Sequence, residues 1–415
     1  MPIMTLKRML HVILFFLWGI LYPQEVINVM AYNLLDFPEA PPSNRAEILK
    51  VIIDNYQPDL FMVCELQSET AAELILNTSL QTPDDRYRSA QFVSNQSVPG
   101  DALQQLVFYN SKKLTLVSQN EILTDVRDIN HYVFNLNRDS SHSIVIDVFV
   151  AHLKSSSGYE QERLDMVLDF TTYLASIPRD HYVLIGGDFN LYTSTEPAYQ
   201  ELLDPSNSIV LKDPIARPGD WHNNSTFQDI HTQSTRLSSF SDGNGTYYGA
   251  GGGMDDRFDF ILISDNLLSS SELRYLSGSY KSYGNNGNCF NKRIDDPTCS
   301  GVFSQAIRDI LYTMSDHLPV TLQLEAPQVL ATDTELKPVL FRISNGNVIA
   351  NEIHLQIANN LIGEKITIYN TLGQAVQRSV LSNTVEILRT SGLAKGLYFL
   401  KIENYAGDPV KFIKL

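Results

Sequence analysis

Three cysteines in 415 residues are too few for a disulfide framework, and no Cys/His cluster has the spacing of a zinc site. Positive charge is scarce: 31 Lys and Arg stand against 47 Asp and Glu, a formal charge of -16. That balance excludes a protein that coats nucleic acid with general basicity, so any phosphate contact must be local or bridged by a cation. Beyond Glu25 no apolar run has the length of a membrane-spanning helix. The glycine run Gly249–Gly253 is not followed by the Lys-Ser/Thr of a phosphate-cradling loop. What remains, 43% hydrophobic and 19% charged, is a globular chain of two to three domains.

Lys7 and Arg8 precede the apolar stretch Met9–Leu21, and polar residues begin by Gln24. This is the layout of a signal peptide, so residues 1–24 are expected to direct export. From 25 to 325 buried-strand runs alternate with helical ones. Val26–Asn33 and Asp59–Cys64 read as strands around a helix over Arg45–Gln57, whose expected apolar face is Ile48, Val51, Ile52 and Tyr56. Ser143–Ala151, a helix over Glu162–Ser176 and a strand over His181–Ile185 repeat the pattern. The fold class is therefore α/β, with helices covering buried sheets. Residues 326–339 read as a linker. Residues 340–415 hold short runs, Ile353–Ile357, Lys365–Tyr369, Thr384–Leu388 and Gly396–Ile402, and are expected to form a small all-β sandwich. The acidity is uneven: Glu335 onward has nine basic and six acidic residues, whereas Met9 to Thr334 has 20 and 41.

Polar residues cluster at or just beyond the expected strand ends, where α/β sheets build their sites. They are Asn33, Glu65, His152, the run Gly186-Gly-Asp188-Phe-Asn190, Asp259 and Ser315-Asp316-His317. Together they suit attack of water on a phosphoester. Glu65 and Asp316 offer hard oxygen ligands for Mg²⁺, Mn²⁺ or Ca²⁺, and Asn33 offers its amide oxygen or orients Glu65. Asp188 would align and deprotonate the water, with Asn190 holding the water or a phosphate oxygen. His317, kept protonated by Asp259, would donate to the phosphate, and His152 would be a second donor or the acid for the leaving group.

The motifs Val29-Met-Ala-Tyr-Asn33-Leu, Val63-Cys-Glu65-Leu-Gln67, Ile185-Gly-Gly-Asp188-Phe-Asn190 and Ser315-Asp316-His317-Leu-Pro-Val320 occur in that order. By these motifs the chain resembles, over residues 26 to 324, the endonuclease/exonuclease/phosphatase superfamily with its DNase I-like fold. The resemblance implies a four-layer sandwich, two packed β-sheets flanked by helices, with the site at one edge. It places Asn33, Glu65, His152, Asp188, Asn190, Asp259, Asp316 and His317 on the family's metal and catalytic positions. It also implies a Tyr or Arg on the phosphate, for which Tyr109, Tyr132 and Arg138 are the candidates; Lys154 is a further substrate contact. The expected activity is metal-dependent endonucleolytic cleavage of DNA, or RNA, leaving a 5′-phosphate and a 3′-hydroxyl. A phospholipid or small phosphodiester hydrolase is the alternative, followed by a non-catalytic binding module.

The segments Lys365-Ile-Thr-Ile-Tyr-Asn-Thr-Leu-Gly373, Leu393-Ala-Lys-Gly396-Leu-Tyr-Phe-Leu-Lys-Ile402 and the terminal Lys-Phe-Ile-Lys-Leu415 resemble the C-terminal sorting domain of type IX secretion. Its usual Asn-Pro is replaced by Ser344-Asn345-Gly346. The resemblance implies the type IX machinery as a partner and a secreted or cell-surface protein, expected to be a monomer without a membrane span. Cys289 and Cys299 could pair after export, while Cys64 in its apolar run is expected to stay a thiol.

Overall fold

The computed structural model describes residues 25–415 apart from 102, 139–142, 234–235, 237–247, 328–340, 345–346, 359–360 and 404–408. The expected signal peptide and most of the expected linker lie outside the described residues. The chain divides into two compact units, one ending at Val329 and one starting at Leu330.

In the first unit β1 (Glu25–Phe37), α1 (Arg45–Tyr56), β2 (Leu60–Leu66), α2 (Glu69–Leu74), β3 (Tyr87–Ser89) and β4 (Gln104–Asn110) come first. Then follow β5 (Leu114–Ile122), β6 (Ile129–Leu136), β7 (Val145–His152), α3 (Glu160–Leu174), β8 (Tyr182–Asp188) and α4 (Pro197–Leu202). The short β9 (Leu211–Lys212), then β10 (Asp259–Ser264), β11 (Arg274–Tyr275), β12 (Lys281–Ser282), α5 (Gln305–Met314) and β13 (Val320–Ala326) complete it. One sheet runs β11-β13-β1-β2-β4-β3, with β12 also on β13; the other runs β5-β6-β7-β8-β10-β9. Pairing is antiparallel except for β1–β2 and β7–β8.

Alternation along β8 shows how the layers form. Tyr182 and Leu184 join the core between the sheets, while Val183 and Ile185 face Met166, Val167 and Phe170 of α3. Helices α1 and α5 cover the outer face of the first sheet, and α3 and α4 that of the second. The four-layer α/β sandwich expected from the sequence is the observed fold.

Helix α1 is rotated relative to expectation. It buries Ala46, Leu49, Ile52 and Ile53, and Val51 is 40% exposed. Its apolar residues satisfy two overlapping helical stripes, and the one through Leu49 carries Arg45 into the interior. There Arg45 Nε donates to the Met314 carbonyl at 3.0 Å and Nη1 to the Leu35 carbonyl at 2.8 Å. This ties the end of β1 to the end of α5, two segments that deliver site residues. Helix α1 stops where Gln57 turns left-handed ahead of Pro58.

Gly187 holds β8 against β7. Its φ is +141°, and a Cβ there would lie 2.0 Å from the Ala151 carbonyl oxygen. Gly187→Ala therefore combines strain with overlap against backbone, and a loss above about 4 kcal/mol is expected. Thermal unfolding checks it; a melting temperature within a few degrees of wild type would contradict it.

The C-terminal unit is all-β, as expected. Its strands are β14 (Phe341–Ile343), β15 (Val348–Ile349), β16 (Glu352–Ile357), β17 (Lys365–Asn370), β18 (Ala375–Val380), β19 (Val385–Arg389), β20 (Gly396–Ile402) and β21 (Val410–Lys414). They form sheets β14-β16-β19 and β15-β21-β20-β17-β18 around Ile353, Leu355, Ile366, Ile368, Leu400, Ile402 and Phe412. Among the described residues no helix of either unit is long and apolar enough to cross a membrane.

Candidate active site

The topology brings the polar strand ends to one edge of the sandwich. Parallel β7 and β8 end together, pairing His152 with Asp188, and antiparallel β10 starts opposite, pairing Asp259 with Asp188. In the facing sheet β1 pairs Asn33 with Cys64, next to Glu65. Ser315 ends α5 in an extended conformation, and its hydroxyl donates to the Asn33 carbonyl at 2.8 Å. Asp316 and His317 are thereby set beside β1. Glu65 and Asn190 adopt φ of +58° and +52°. Left-handed backbone at non-glycine residues is strained and persists only where the surroundings hold it.

Asn33 is the hub. Its Nδ2 donates to Glu65 Oε1 at 2.9 Å and to Asp188 Oδ2 at 3.0 Å, while its Oδ1 accepts from the Leu35 N–H at 3.0 Å. Of its two expected uses the geometry shows the orienting one: the nitrogen orders two carboxylates, while the oxygen accepts a single N–H. Glu65 Oε2 accepts from the Asp36 N–H at 3.0 Å. Asp188 Oδ1 accepts from the Asn190 N–H at 3.0 Å. Asn190 Nδ2 lies 3.3 Å from the Leu153 carbonyl, anchoring the loop after β8.

Two histidines flank Asp188 Oδ2, His152 Nε2 at 3.5 Å and His317 Nε2 at 3.7 Å. Their electrostatics differ. His317 Nδ1 is 2.7 Å from Asp259 Oδ2. Burial alone would lower its pKa, but Asp259 and Asp188 raise it well above the usual histidine value. That direction favours the protonated ring. Burial, with Arg127, His317 and Lys154 adding to it, pushes His152 well below that value. That direction favours the neutral ring, and with it a hydrogen-bonding role over that of leaving-group acid. Burial raises the Asp188 pKa, and the Asp259 and Glu65 carboxylates add to the rise. Glu65 is raised by burial and by Asp316.

For Asp188 and Glu65 burial is the first cause, and the carboxylates crowded around them add to the rise. Glu65, His152 and Asp188 bring ligand atoms within 4.8 Å of one another, as do Asp188, Asp259 and His317. Asp316 Oδ2 accepts from the Ala250 N–H at 2.7 Å, but among the described residues its buried Oδ1 has no partner, and neither has Asp259 Oδ1. Hard, charged oxygen donors left over in an acidic pocket fit a divalent cation such as Mg²⁺.

The expected substrate contacts fare unevenly. Tyr109 pairs with Leu60 at the start of β2, about 16 Å along the strand from Glu65, and packs on Phe134. Arg138 follows the far end of β6 and donates to the carbonyls of Glu272 and Pro327. Neither reaches the cluster, and Tyr132 is buried between the sheets. Spacing along the chain could not separate the two edges of the sandwich. Lys154, two residues past His152, is at the correct edge, its Nζ 4.2 Å from the Tyr159 ring centre. Arg127 is there too, donating to the His152 carbonyl at 3.2 Å. Missed from sequence were Tyr192 and His222, which with Asp256 border the cluster; an isolated histidine inside a long loop gives no signal. Cys289 and Cys299 form a disulfide, and Cys64 stays a buried thiol.

Residues 347–414 match the family model described as a secretion system C-terminal sorting domain. The chain is addressed outward. Such a tail marks export by the type IX route, to the medium or the cell surface. The comparison with curated proteins found no match. Among solved structures, the human Nocturnin catalytic domain is 16% identical over 72% of this chain and 97% of its own, with a TM-score of 0.43. D. rerio TDP2 complexed with single strand DNA product is 13% identical over 72% and 98%, with a TM-score of 0.46. An endonuclease/exonuclease/phosphatase family protein from Bacteroides thetaiotaomicron is 13% identical over 74% and 99%, with a TM-score of 0.43. At such identities the functional argument rests on this chain's own residues.

Proposed function

We propose that residues 25–325 form an exported, divalent-metal-dependent phosphodiester hydrolase that cleaves DNA, with RNA as a second polymer. One observation carries this reading: two carboxylates ordered by Asn33, a histidine held by Asp259 and a second histidine beside Asp188 converge at one sheet edge. Glu65 and Asp316, with Asp188 at hand, would hold the cation. When bound it would neutralise phosphate oxygens and the departing alkoxide.

The chain's own residues supply the rest. Asp188, ordered by the Asn33 amide and the Asn190 N–H, is the base that takes the proton of the attacking water. Its raised pKa suits that task near neutrality. His317 donates from Nε2 to a non-bridging phosphate oxygen, and its Nδ1 is held by Asp259. His152 fixes the carboxylate positions from the opposite side. Water attacks phosphorus in line, and the bond to the leaving oxygen breaks. A phospholipid substrate is disfavoured because the insert from Leu276 to Thr298 exposes no large apolar side chain among the described residues.

The full chain should nick supercoiled plasmid in Mg²⁺ and not in EDTA, and Glu65→Gln should lose the activity at ordinary metal concentration. Plasmid left intact under every divalent ion would remove DNA as the substrate.

A further inference from the structure

Beside the cluster stands a second histidine–carboxylate pair that this chemistry leaves unused. His222 Nδ1 lies 2.7 Å from Asp256 Oδ1; the aspartate is buried and the histidine side chain is 51% exposed. The backbone sets the pair at the rim of the site. The N–H groups of Trp221 and His222 both donate to the Tyr192 carbonyl, and Tyr192 is the second residue after Asn190. Gln233 bridges Asp256 and also bridges His317. Two bridge spacings put the Cα atoms of Asp256 and His317 within about 10 Å. The Tyr192 ring stands edge-on to His222 at 5.3 Å and to Phe258 at 5.0 Å, a fixed aromatic wall.

A purely structural pin is redundant here. The Asn223 N–H already donates to the Asp255 carbonyl at 2.8 Å, and the Thr232 N–H to the Asp256 carbonyl at 2.8 Å. The charged groups facing His222 are Asp256, Asp255 and Asp220, with His231 behind the same segment. Burial would lower the His222 pKa, yet these carboxylates, Asp256 first, raise it. The imidazolium is thus more than balanced by acids. It can donate a hydrogen bond, but the surroundings repel a second phosphate, so an uncharged acceptor fits.

Resting on the phosphodiesterase reading, we propose that His222, oriented by Asp256 and walled by Tyr192, binds the nucleoside flanking the scissile phosphate. It donates to an oxygen of the sugar or base, and this contact favours nucleotide esters over simple ones.

The test compares thymidine 5′-(p-nitrophenyl phosphate) with methyl p-nitrophenyl phosphate, which share the leaving group and differ in the nucleoside. In His222→Ala of the full chain, the ratio of kcat/KM for the two esters should fall about tenfold, mainly through KM. His222→Gln, whose amide still donates, should recover part of the ratio, and Asp256→Asn should lose part. An equal loss on both esters, or an unchanged ratio, would overturn the proposal. Should the wild type turn over neither ester, titration with thymidine decides. Binding weakened by His222→Ala would keep the nucleoside contact and discard the hydrolase reading; absent or unaltered binding would discard both.

Discussion

Asp188→Asn is expected to lower kcat for plasmid nicking by roughly 10³-fold, the scale of a lost general base, while the protein stays folded. Asparagine can still accept the Asn190 N–H through its oxygen. Its amide cannot accept the Asn33 Nδ2, nor take a proton from water. Stability should move differently. An acid whose pKa is raised by folding destabilises the native state above its unfolded value, because the folded chain binds the proton more tightly. Asp188 is such an acid, through burial and its Asp259 and Glu65 neighbours. Removing its charge relieves that repulsion, so the metal-free variant should melt no lower than metal-free wild type at pH 7 to 8. Loss of activity with a marked fall in melting temperature would mean that Asp188 is structural. Unchanged activity would remove it from the mechanism.

The sandwich was readable because its central strands carry buried runs on both faces, as β8 does, and because the polar residues fall where those runs stop. It was the resemblance carried by the ordered motifs that implied one shared edge for Asp188 and His317. What the pattern could not supply was orientation. Nothing in Asn33 as a residue type says that its nitrogen, rather than its oxygen, meets Glu65 and Asp188. Nor does the sequence reveal how the charges of His152 and His317 differ: burial with Arg127 and Lys154 nearby lowers the pKa of one, and Asp259 and Asp188 raise that of the other. Tyr109 and Arg138 were misplaced for a related reason. A strand's two ends look alike locally, and which end faces the site depends on the register with its neighbours. The edge strand β18 was missed because Ala375–Val380 has little apolar alternation and buries no residue fully.

The second large effect is expected at Asp259. In Asp259→Asn the imidazolium of His317 loses the partner 2.7 Å from its Nδ1, and with it much of the charge that raises its pKa. If protonated His317 donates to phosphate, wild-type kcat should rise with pH as Asp188 ionises, at about 7, and fall again only as pH climbs through the raised His317 value. The alkaline limb in the variant should move to lower pH, and at pH 8 kcat should drop by roughly 10²-fold or more. The sign for stability follows from the same linkage. A histidine whose pKa is raised on folding adds stability that is fully present below its unfolded value, near 6.5, and is lost as pH rises through the folded one. The gap in melting temperature between wild type and Asp259→Asn should therefore be widest in mild acid and narrow in alkali. Breaking a buried pair costs about 3 to 5 kcal/mol, so His317→Gln is a companion that removes the charge and keeps a donor. It should lose the alkaline limb altogether. A pH–rate profile that neither variant alters would mean that His317 is not the donor, leaving Asp188 and the cation to carry the reaction.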